Sequence, residues 1–433
     1  MTPAKKNDSE TLRFLDSVEH QFTSFFSKFT DRFKVVKFSY RQHAFDYFQS
    51  VFKFEKKKAN CQYMADHLSN LSQQSINHFV NSDLWSYRAL MDQVVLASSD
   101  LFSQRNDPTA LLIDEVGFRK KGEMSACVSR QHLGCIGKMD NGQVAVAAGL
   151  SQSEYYTPID IRLFMPKEWK SDTVRGIKCN IPEKEHHLSK PEIAKKIIEH
   201  VVNKGIKFDY VNFDALYGIA SSLLEYLVDR QLDFIGDIRS DQQMYFNYDL
   251  KEKCRVDKYI ASLSEDEFQQ IDIRKSTKGT LRAKFHYVKI QTRTTNHRWL
   301  YLILLVRKDA DGKTKYSVTN MENNHIKKLA QKQRQRIFIE QIFKEDKNLV
   351  GMGDYQIRGL HGFHNHMAML LITKLKFKNN KQKFTAATIK KIVNLCIKTK
   401  IEEPQLAIDL IFEQHQKYIN QLLRNQKKTK NLR

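Results

Sequence analysis

The chain has 433 residues, a formal net charge of +22 and 41% hydrophobic residues. This length predicts about two to four domains, and the hydrophobic content excludes a wholly disordered chain. The surplus of positive charge favours a polyanionic partner such as nucleic acid. Half of that surplus lies in residues 372–433, which contain 15 Lys/Arg and 4 Asp/Glu. A solvated helical surface is the alternative explanation for this basic segment.

Cysteine spacing and apolar runs exclude several classes of protein. The six cysteines form no CxxC pair, so the sequence predicts neither a zinc ribbon nor a disulfide framework. No apolar run reaches the length of a membrane span, and the N-terminus has no apolar signal core. The phosphate-binding pattern GxxxxGKS/T does not occur, so ATP use is not expected. We therefore expect a cytoplasmic protein with reduced thiols and no membrane partner.

Residues 1–105 are predicted to form a helical N-terminal region that binds DNA. Within it, residues 60–82 have the pattern of two short helices joined at Leu71-Ser72. That pattern is compatible with a helix-turn-helix and equally with an ordinary helical hairpin. Five aromatic rings recur on one predicted helix face and are expected to pack in a core: Phe22, Phe25, Phe26, Phe29 and Phe33.

Residues 106–224 change to strand patterns and are predicted to be the first part of an α/β core. The first strand ends at Asp114 in the apolar run LLIDEVGF. Two further β-rich runs follow, and Asp140-Asn141-Gly142 is the turn signal predicted to join them. A meander of three strands is therefore expected.

A helix and a fourth strand complete this first part. Ser189 is predicted to cap the helix, and Gly205 is predicted to end it. The next strand ends at Asp214 in FDYVNFDALYG. The order β-β-β-α-β, with an acid on the first strand and another on the fourth, is the arrangement of an RNase H-like sheet. The predicted fold class is α/β, a mixed RNase H-like sheet flanked by helices.

The second half of the chain is predicted to contain three segments. Residues 225–322 are a β-rich insertion that interrupts the core, with Asp311-Gly312 as one of its turns. Residues 323–375 return to the core, and a single helix over 323–350 carries Glu340. Residues 376–433 are a basic helical C-terminal region.

Three acids are the candidate catalytic and metal-binding residues. Asp114 and Asp214 end apolar strands, and Glu340 lies on a helix expected to pack across them. Converging carboxylates suit hard divalent cations, and two such ions activate water and stabilise the leaving oxygen in phosphodiester cleavage. Singly, each acid is weak evidence, because an acid at a strand end or on a helix surface is more often a turn or solvated residue.

Basic side chains beside these acids are candidate DNA contacts. Arg336 and Lys347 share a narrow helical arc with Glu340, and Lys120 and Lys121 follow the first acid. Arginine suits planar contact with phosphate, and lysine acts as a point charge.

The joint set of motifs resembles bacterial DDE-type insertion-sequence transposases of the insertion-sequence-four-like group. LLIDEVGFRKKG and VNFDALYG are similar to that group's first and second Asp segments. Arg336, Glu340 and Lys347 keep the spacing of its Tyr–Arg–Glu–Lys signature, whereas Gln333 occupies the Tyr position. The following YQIRGLHGFHNH is also similar and contains Arg358, a further candidate DNA contact. The resemblance covers roughly residues 30–375.

The resemblance implies two Mg²⁺ ions, with Mn²⁺ as a possible substitute, held by Asp114, Asp214 and Glu340. It implies cleavage of transposon ends and strand transfer into target DNA. The partner would be double-stranded DNA, and the nucleoid would be the place of action. Because two ends must be paired in this reaction, a homodimer on DNA is expected.

Three alternatives stay open on the sequence alone. One is a catalytically inactive DNA-binding relative, and another is a metal-dependent nuclease without strand transfer. The third concerns His361, His364 and His366, which could suggest zinc. No cysteine or fourth histidine has matching spacing, so a structural or DNA-contacting role is favoured for these histidines.

Overall fold

The computed structural model describes residues 20, 23–35, 39–53, 60–67, 71–103, 106–249, 252–276, 279–322 and 325–379. The predictions for Phe22 and for residues 380–433 lie outside the described residues. The chain divides into two compact units. The first contains residues 1–85, 347–356 and 372–433, and the second contains residues 86–346 and 357–371.

Short helices make up the described part of the first unit's N-terminal segment. They are α1 (Arg41–Lys53), α2 (Cys61–His67) and α3 (Gln73–Asn81). Ser72 caps α3, because its side chain accepts a hydrogen bond from Ser75 N. The predicted packing role of the aromatic rings is confirmed, since all four described ones are buried: Phe25, Phe26, Phe29 and Phe33.

A mixed sheet of twelve strands, counted over the described residues, forms the centre of the second unit. Its strands are β1 (Thr109–Arg119), β2 (Ser129–Leu133), β3 (Lys138–Gln152), β4 (Tyr155–Leu163), β5 (Tyr210–Phe213), β6 (Phe234–Ile238), β7 (Gln243–Phe246), β8 (Cys254–Arg255), β9 (Gln269–Ser276), β10 (Gly279–Arg293), β11 (Trp299–Asp309) and β12 (Thr314–Thr319).

Helices flank this sheet. They are α4 (Tyr87–Ser103), α5 (Thr173–Lys178), α6 (Lys190–Asn203), α7 (Ser221–Asp229), α8 (Val256–Ala261) and α9 (Ile326–Arg334), with parts of α10 (Ile337–Leu349) and α11 (Leu360–Asn379). Among the helices that the structure describes, none combines the length and the apolar character needed to span a bilayer.

The first strands pair in an RNase H-like order, but the predicted three-strand meander is wrong. Within the described range 106–249, four strands precede α6, so Asp214 follows the fifth strand, and β2 pairs with β3 and not with β1. β3 pairs antiparallel with β4 on one side and with β1 on the other. β1 then pairs in parallel with β5, and β5 pairs in parallel with β6. A parallel pair needs a crossover connection, and α6 supplies the one that precedes β5. The predicted α/β fold class, with a mixed sheet flanked by helices, is therefore confirmed.

The strands of the predicted insertion continue the same sheet. β12 pairs antiparallel with β6, with Ser317 opposite Asp237, and β11 and β10 follow outward. The inserted segment therefore shares backbone hydrogen bonds with the core strands. The domain limits drawn from the sequence remain predictions.

The turn predicted at Asp140-Asn141-Gly142 is wrong. These residues lie inside β3, and the chain turns between β2 and β3 at residues 134–137, where Gly137 has a φ of +65°. Asn141 suits a strand here because its side-chain amide donates to the carbonyls of Lys120 and Gly122, both at 3.0 Å. The turn signal was outweighed by these long-range hydrogen bonds.

The helix predicted before the strand of Asp214 is confirmed. Ser189 caps α6 and forms a capping box with Glu192, and Gly205 follows the helix with a φ of +70°. The single helix predicted over 323–350 is wrong, because α9 ends at Arg334 and α10 begins at Ile337. Arg336 therefore lies at a break between two helices.

A glycine to alanine substitution tests how tightly the loop after β5 packs. A Cβ atom on Gly218 would lie 1.9 Å from the backbone oxygen of Asp237, so that backbone must move. We expect Gly218→Ala to cost about 1–3 kcal/mol, measured as a lower melting temperature. Gly176→Ala in α5 is the control, because a Cβ there meets nothing within 4 Å. Equal melting temperatures for the two variants would contradict this packing.

Candidate active site

Strand register places the two candidate aspartates side by side. Ile113 of β1 pairs in parallel with Phe213, the last residue of β5, so Asp114 lies beside Asp214, which directly follows β5. The first strand was predicted to end at Asp114, and this is wrong, because β1 continues to Arg119. Neighbouring strands lie about 4.8 Å apart, so the two carboxylates start from adjacent backbone positions. Asp114 Oδ1 accepts a hydrogen bond from Glu115 N at 2.7 Å, and Asp214 Oδ1 accepts one from Leu216 N at 3.0 Å.

Strand alternation decides which face of the sheet carries Asp114. Leu112 and Ala110, two and four residues before it, pack in the core cluster that includes Ile339 and Ile342 of α10. α10 approaches β3 closely at Gly149, where a Cβ atom would lie 2.6 Å from the Ile342 side chain. Asp114 and the helix that carries Glu340 therefore lie on the same face of the sheet.

Arg336 links the carboxylates on this face. Its Nη1 lies 3.2 Å from Asp114 Oδ2, its Nε lies 3.1 Å from Asp237 Oδ2, and its Nη2 lies 3.4 Å from Glu340 Oε1. A planar guanidinium has five donors in a fixed fork, so one side chain bonds three acids at once. The structure thus brings Asp114 and Glu340 to opposite nitrogens of the same group.

Asp237 on β6 is a site residue that the sequence interpretation missed. Its Oδ1 accepts a hydrogen bond from Ser317 Oγ at 2.6 Å, and Ser317 Oγ accepts one from Gln333 Nε2 at 2.7 Å. A chain of hydrogen bonds thus runs from Gln333, at the signature Tyr position, to Arg336. The sequence does contain a signal for Asp237, because this acid follows the short run FIG in the same way as Asp114 follows LLI.

Burial makes the site unfavourable for negative charge. It raises the pKa of Asp114 to about 7; Arg336 opposes that rise, and Asp214 and Glu340 add to it. Burial also raises the pKa of Asp214, again opposed by Arg336 and increased by Asp237. Four acids therefore share one guanidinium, which leaves an excess of negative charge.

This excess of negative charge fits a divalent cation. Carboxylate oxygens are the ligands that Mg²⁺ prefers. As placed here, however, no three acid, histidine or cysteine side chains among the described residues stand close enough to hold one ion. Arg336 already bonds the oxygens of Asp114 and Glu340. An ion held by those oxygens would therefore compete with the guanidinium.

The other basic candidates lie farther along the chain. Lys120 is six residues beyond Asp114, about 20 Å along an extended strand, and burial lowers its pKa to about 8. Lys347 is seven residues beyond Glu340, about 10 Å along α10. Lys121 and Arg358 are exposed on connecting segments. Their roles as DNA contacts remain predictions.

Two of the three histidines once considered for zinc are buried in packing positions. Burial lowers the pKa of His364 and of His366 to about 3. The His364 ring stacks on Tyr87 with 4.7 Å between centroids, and its Nε2 accepts from Leu163 N at 3.3 Å. Neutral rings held this way favour the structural role predicted for them.

Two family models match the chain. The model described as DDE superfamily endonuclease matches residues 42–254, and the one described as Transposase DDE domain matches residues 185–374. A probable transposase for insertion sequence element IS701 from Microchaete diplosiphon is 30% identical over 171 residues, 39% of this chain. The chain spans 42% of that relative's length.

Asp114 within β1 and Asp214 directly after β5 occupy neighbouring positions of the sheet, and the two models together match residues 42–374, so the chain belongs to the DDE superfamily. Within that superfamily, the chain is similar to the DDE-type insertion-sequence transposases. The resemblance drawn from the sequence motifs is confirmed.

The raised pKa of Asp114 predicts a pH-dependent stability. Folding raises this pKa above its unfolded value, so the penalty is absent below about pH 4 and complete above about pH 7. In EDTA, Asp114→Asn should raise the melting temperature by a few degrees at pH 8 and by less at pH 5. Asp311→Asn is the control, because that exposed acid is ionised across this range. A difference that shrinks as pH rises would contradict the prediction.

Removal of the shared arginine should destabilise the protein in a way that a cation repairs. Arg336→Ala leaves the half-buried carboxylates of Asp114 and Asp237 without their guanidinium, and a poorly solvated charge without a partner is destabilising. We expect a lower melting temperature in EDTA that Mg²⁺ partly restores and that NaCl of equal ionic strength does not. Arg239→Ala, which breaks an exposed pair with Asp241, should show neither effect.

Proposed function

We propose that the protein is a metal-dependent transposase that cleaves the ends of its element and joins the freed 3′-hydroxyl to target DNA. One observation carries the proposal: Asp114 and Glu340 meet at one half-buried guanidinium, beside Asp214 at the end of the adjacent parallel strand. Membership of the DDE family supports it.

Asp114, Asp214 and Glu340 would hold two Mg²⁺ ions, and Mn²⁺ would substitute for them. Bound there, the ions would supply an activated water and stabilisation of the leaving oxygen. The excess of negative charge around Arg336 supports this choice of ligand. The Asp114 side chain is only 14% exposed, so its charge interactions are stronger than they would be in bulk water.

Arg336 would contact the reacting phosphate. Its fork suits two phosphate oxygens, and Asp237 holds its Nε, so that the terminal nitrogens keep a fixed direction. Lys347, Lys120, Lys121 and Arg358 would hold duplex farther from the reacting centre, because they lie away from the carboxylates along the chain.

The proposed partners are double-stranded transposon ends and target DNA. Two ends must be cut and joined in one event, so a homodimer on DNA is part of the proposal. ATP is not part of it, because the reaction exchanges one phosphodiester for another and the sequence has no P-loop.

A strand-transfer assay tests the function. The substrate is a duplex that ends in the inverted repeat flanking the gene, incubated with Mg²⁺ and a plasmid target. A transposase yields joined product, a simple nuclease yields cut ends alone, and an inactive relative shifts the duplex without any product. Either of the last two results would overturn the proposal.

Replacement of the three acids by amides of the same shape distinguishes a role in DNA cleavage from a role in DNA binding. Asp114→Asn, Asp214→Asn and Glu340→Gln should each reduce cleavage to background, because each removes a negative ligand oxygen. DNA binding in a gel-shift assay should stay close to wild type, since no phosphate contact is lost. Asp272→Asn, an exposed acid on β9, is the control and should cut normally. Cleavage at the wild-type rate by any of the three variants would remove that residue from the assignment.

A further inference from the structure

A small cavity opens beside the carboxylates on the side of the inserted strands. Its volume is about 150 Å³. It borders the site already described through Asp237, Arg336 and Glu340. Its remaining lining comes from β10, β11, β12 and the junction between α9 and α10: Leu281, Arg307, Lys315, Gln333, Arg334 and Ile337.

Two cationic side chains lie side by side on neighbouring strands that line this cavity. Arg307 of β11 and Lys315 of β12 are direct cross-strand partners, and like charges in that position repel. Asp309 offsets one of them, with its Oδ1 at 2.6 Å from Arg307 Nε. Lys315 forms no ion pair within the described part of the chain. The pair would be stabilised by a further anion.

Arg334 supplies an unused buried donor. Its Nη2 bonds Glu154 at 2.7 Å, whereas its Nε is buried without a hydrogen-bond partner. A buried donor left unpaired costs about 1–3 kcal/mol. The side chain of Arg334 also lines the cavity and adds positive charge to its wall. The cavity also borders Ile337, the first residue of α10, where the positive end of the helix dipole favours an anion.

The cavity is large enough for a phosphate group. Its volume is about 150 Å³, and one water needs only about 10–15 Å³ of space measured in this way.

We propose that this cavity binds a backbone phosphate of the DNA strand, next to the phosphate that is cut. Lys315 and Arg334 are the positioning residues, and Arg307 supports them. This inference rests on the proposed function, because it takes the carboxylates on the shared wall as the reacting centre. Its consequence is that the inserted β-rich segment fixes the register of the strand in the site.

A double-mutant cycle between protein and DNA tests the contact. The probe is the end duplex with one phosphate at a time replaced by a neutral methylphosphonate, bound in EDTA so that no cleavage occurs. In wild-type protein, one position near the cut should weaken binding several-fold. Lys315→Ala should weaken binding by a similar factor and should lower the salt slope by about 0.9. In that variant the same methylphosphonate should have no further effect.

Lys313→Ala is the matched control. Lys313 lies on the same hairpin and is 77% exposed, paired with Asp311 outside the cavity. Its removal should leave both the salt slope and the methylphosphonate pattern as in wild type. Equal effects of Lys313→Ala and Lys315→Ala, or additive effects at every position, would overturn the inference. Arg334→Gln should reproduce the coupling at the same position.

The remaining outcomes separate the inference from the proposed function. In one outcome, inorganic phosphate raises the melting temperature of wild type but not of Lys315→Ala, and the effects of Lys315→Ala and of each methylphosphonate on DNA binding are additive. The cavity then binds a free anion, and the proposal that it binds a DNA phosphate is wrong. Wild-type protein that cuts and joins but shows no coupling overturns the inference alone. Wild-type protein that does not bind the end duplex overturns both.

Discussion

One guanidinium balances acids that would otherwise repel each other inside the second unit. Arg336 bonds Asp114 of β1, Asp237 of β6 and Glu340 of α10. These residues are far apart in the chain, so the ion pairs connect the two strands and the helix only in the folded protein. Because burial disfavours the charged acids, the guanidinium of Arg336 offsets part of the cost of placing them together.

Much of this arrangement is predictable from the sequence, and the physical reason is local. Asp114 and Asp214 each end an apolar run, and an acid that follows buried residues implies a compensating partner. Ser189 and Gly205 delimit their helix through capping and a left-handed residue, which are local effects as well. The order of strands and helix then fixes the RNase H-like pairing.

What the sequence does not reveal depends on contacts between distant segments. Asn141 sits in a turn motif but bonds the backbone after β1, so its strand conformation has a tertiary cause. The break at Arg336 interrupts a continuous helical pattern, because that side chain is directed to three acids. Asp237 acquires its importance only when β12 lies beside β6 and Ser317 reaches it.

The hydrogen bond between Gln333 and Ser317 has a consequence for exchanging parts among related transposases. One residue lies on the helix that precedes Arg336, and the other lies on the last inserted strand. Both are buried, so a tyrosine at 333 would need a different neighbour at 317. A chimera that receives a foreign inserted segment must carry the matching residue at 333 with it. Residues 317 and 333 should therefore be exchanged together.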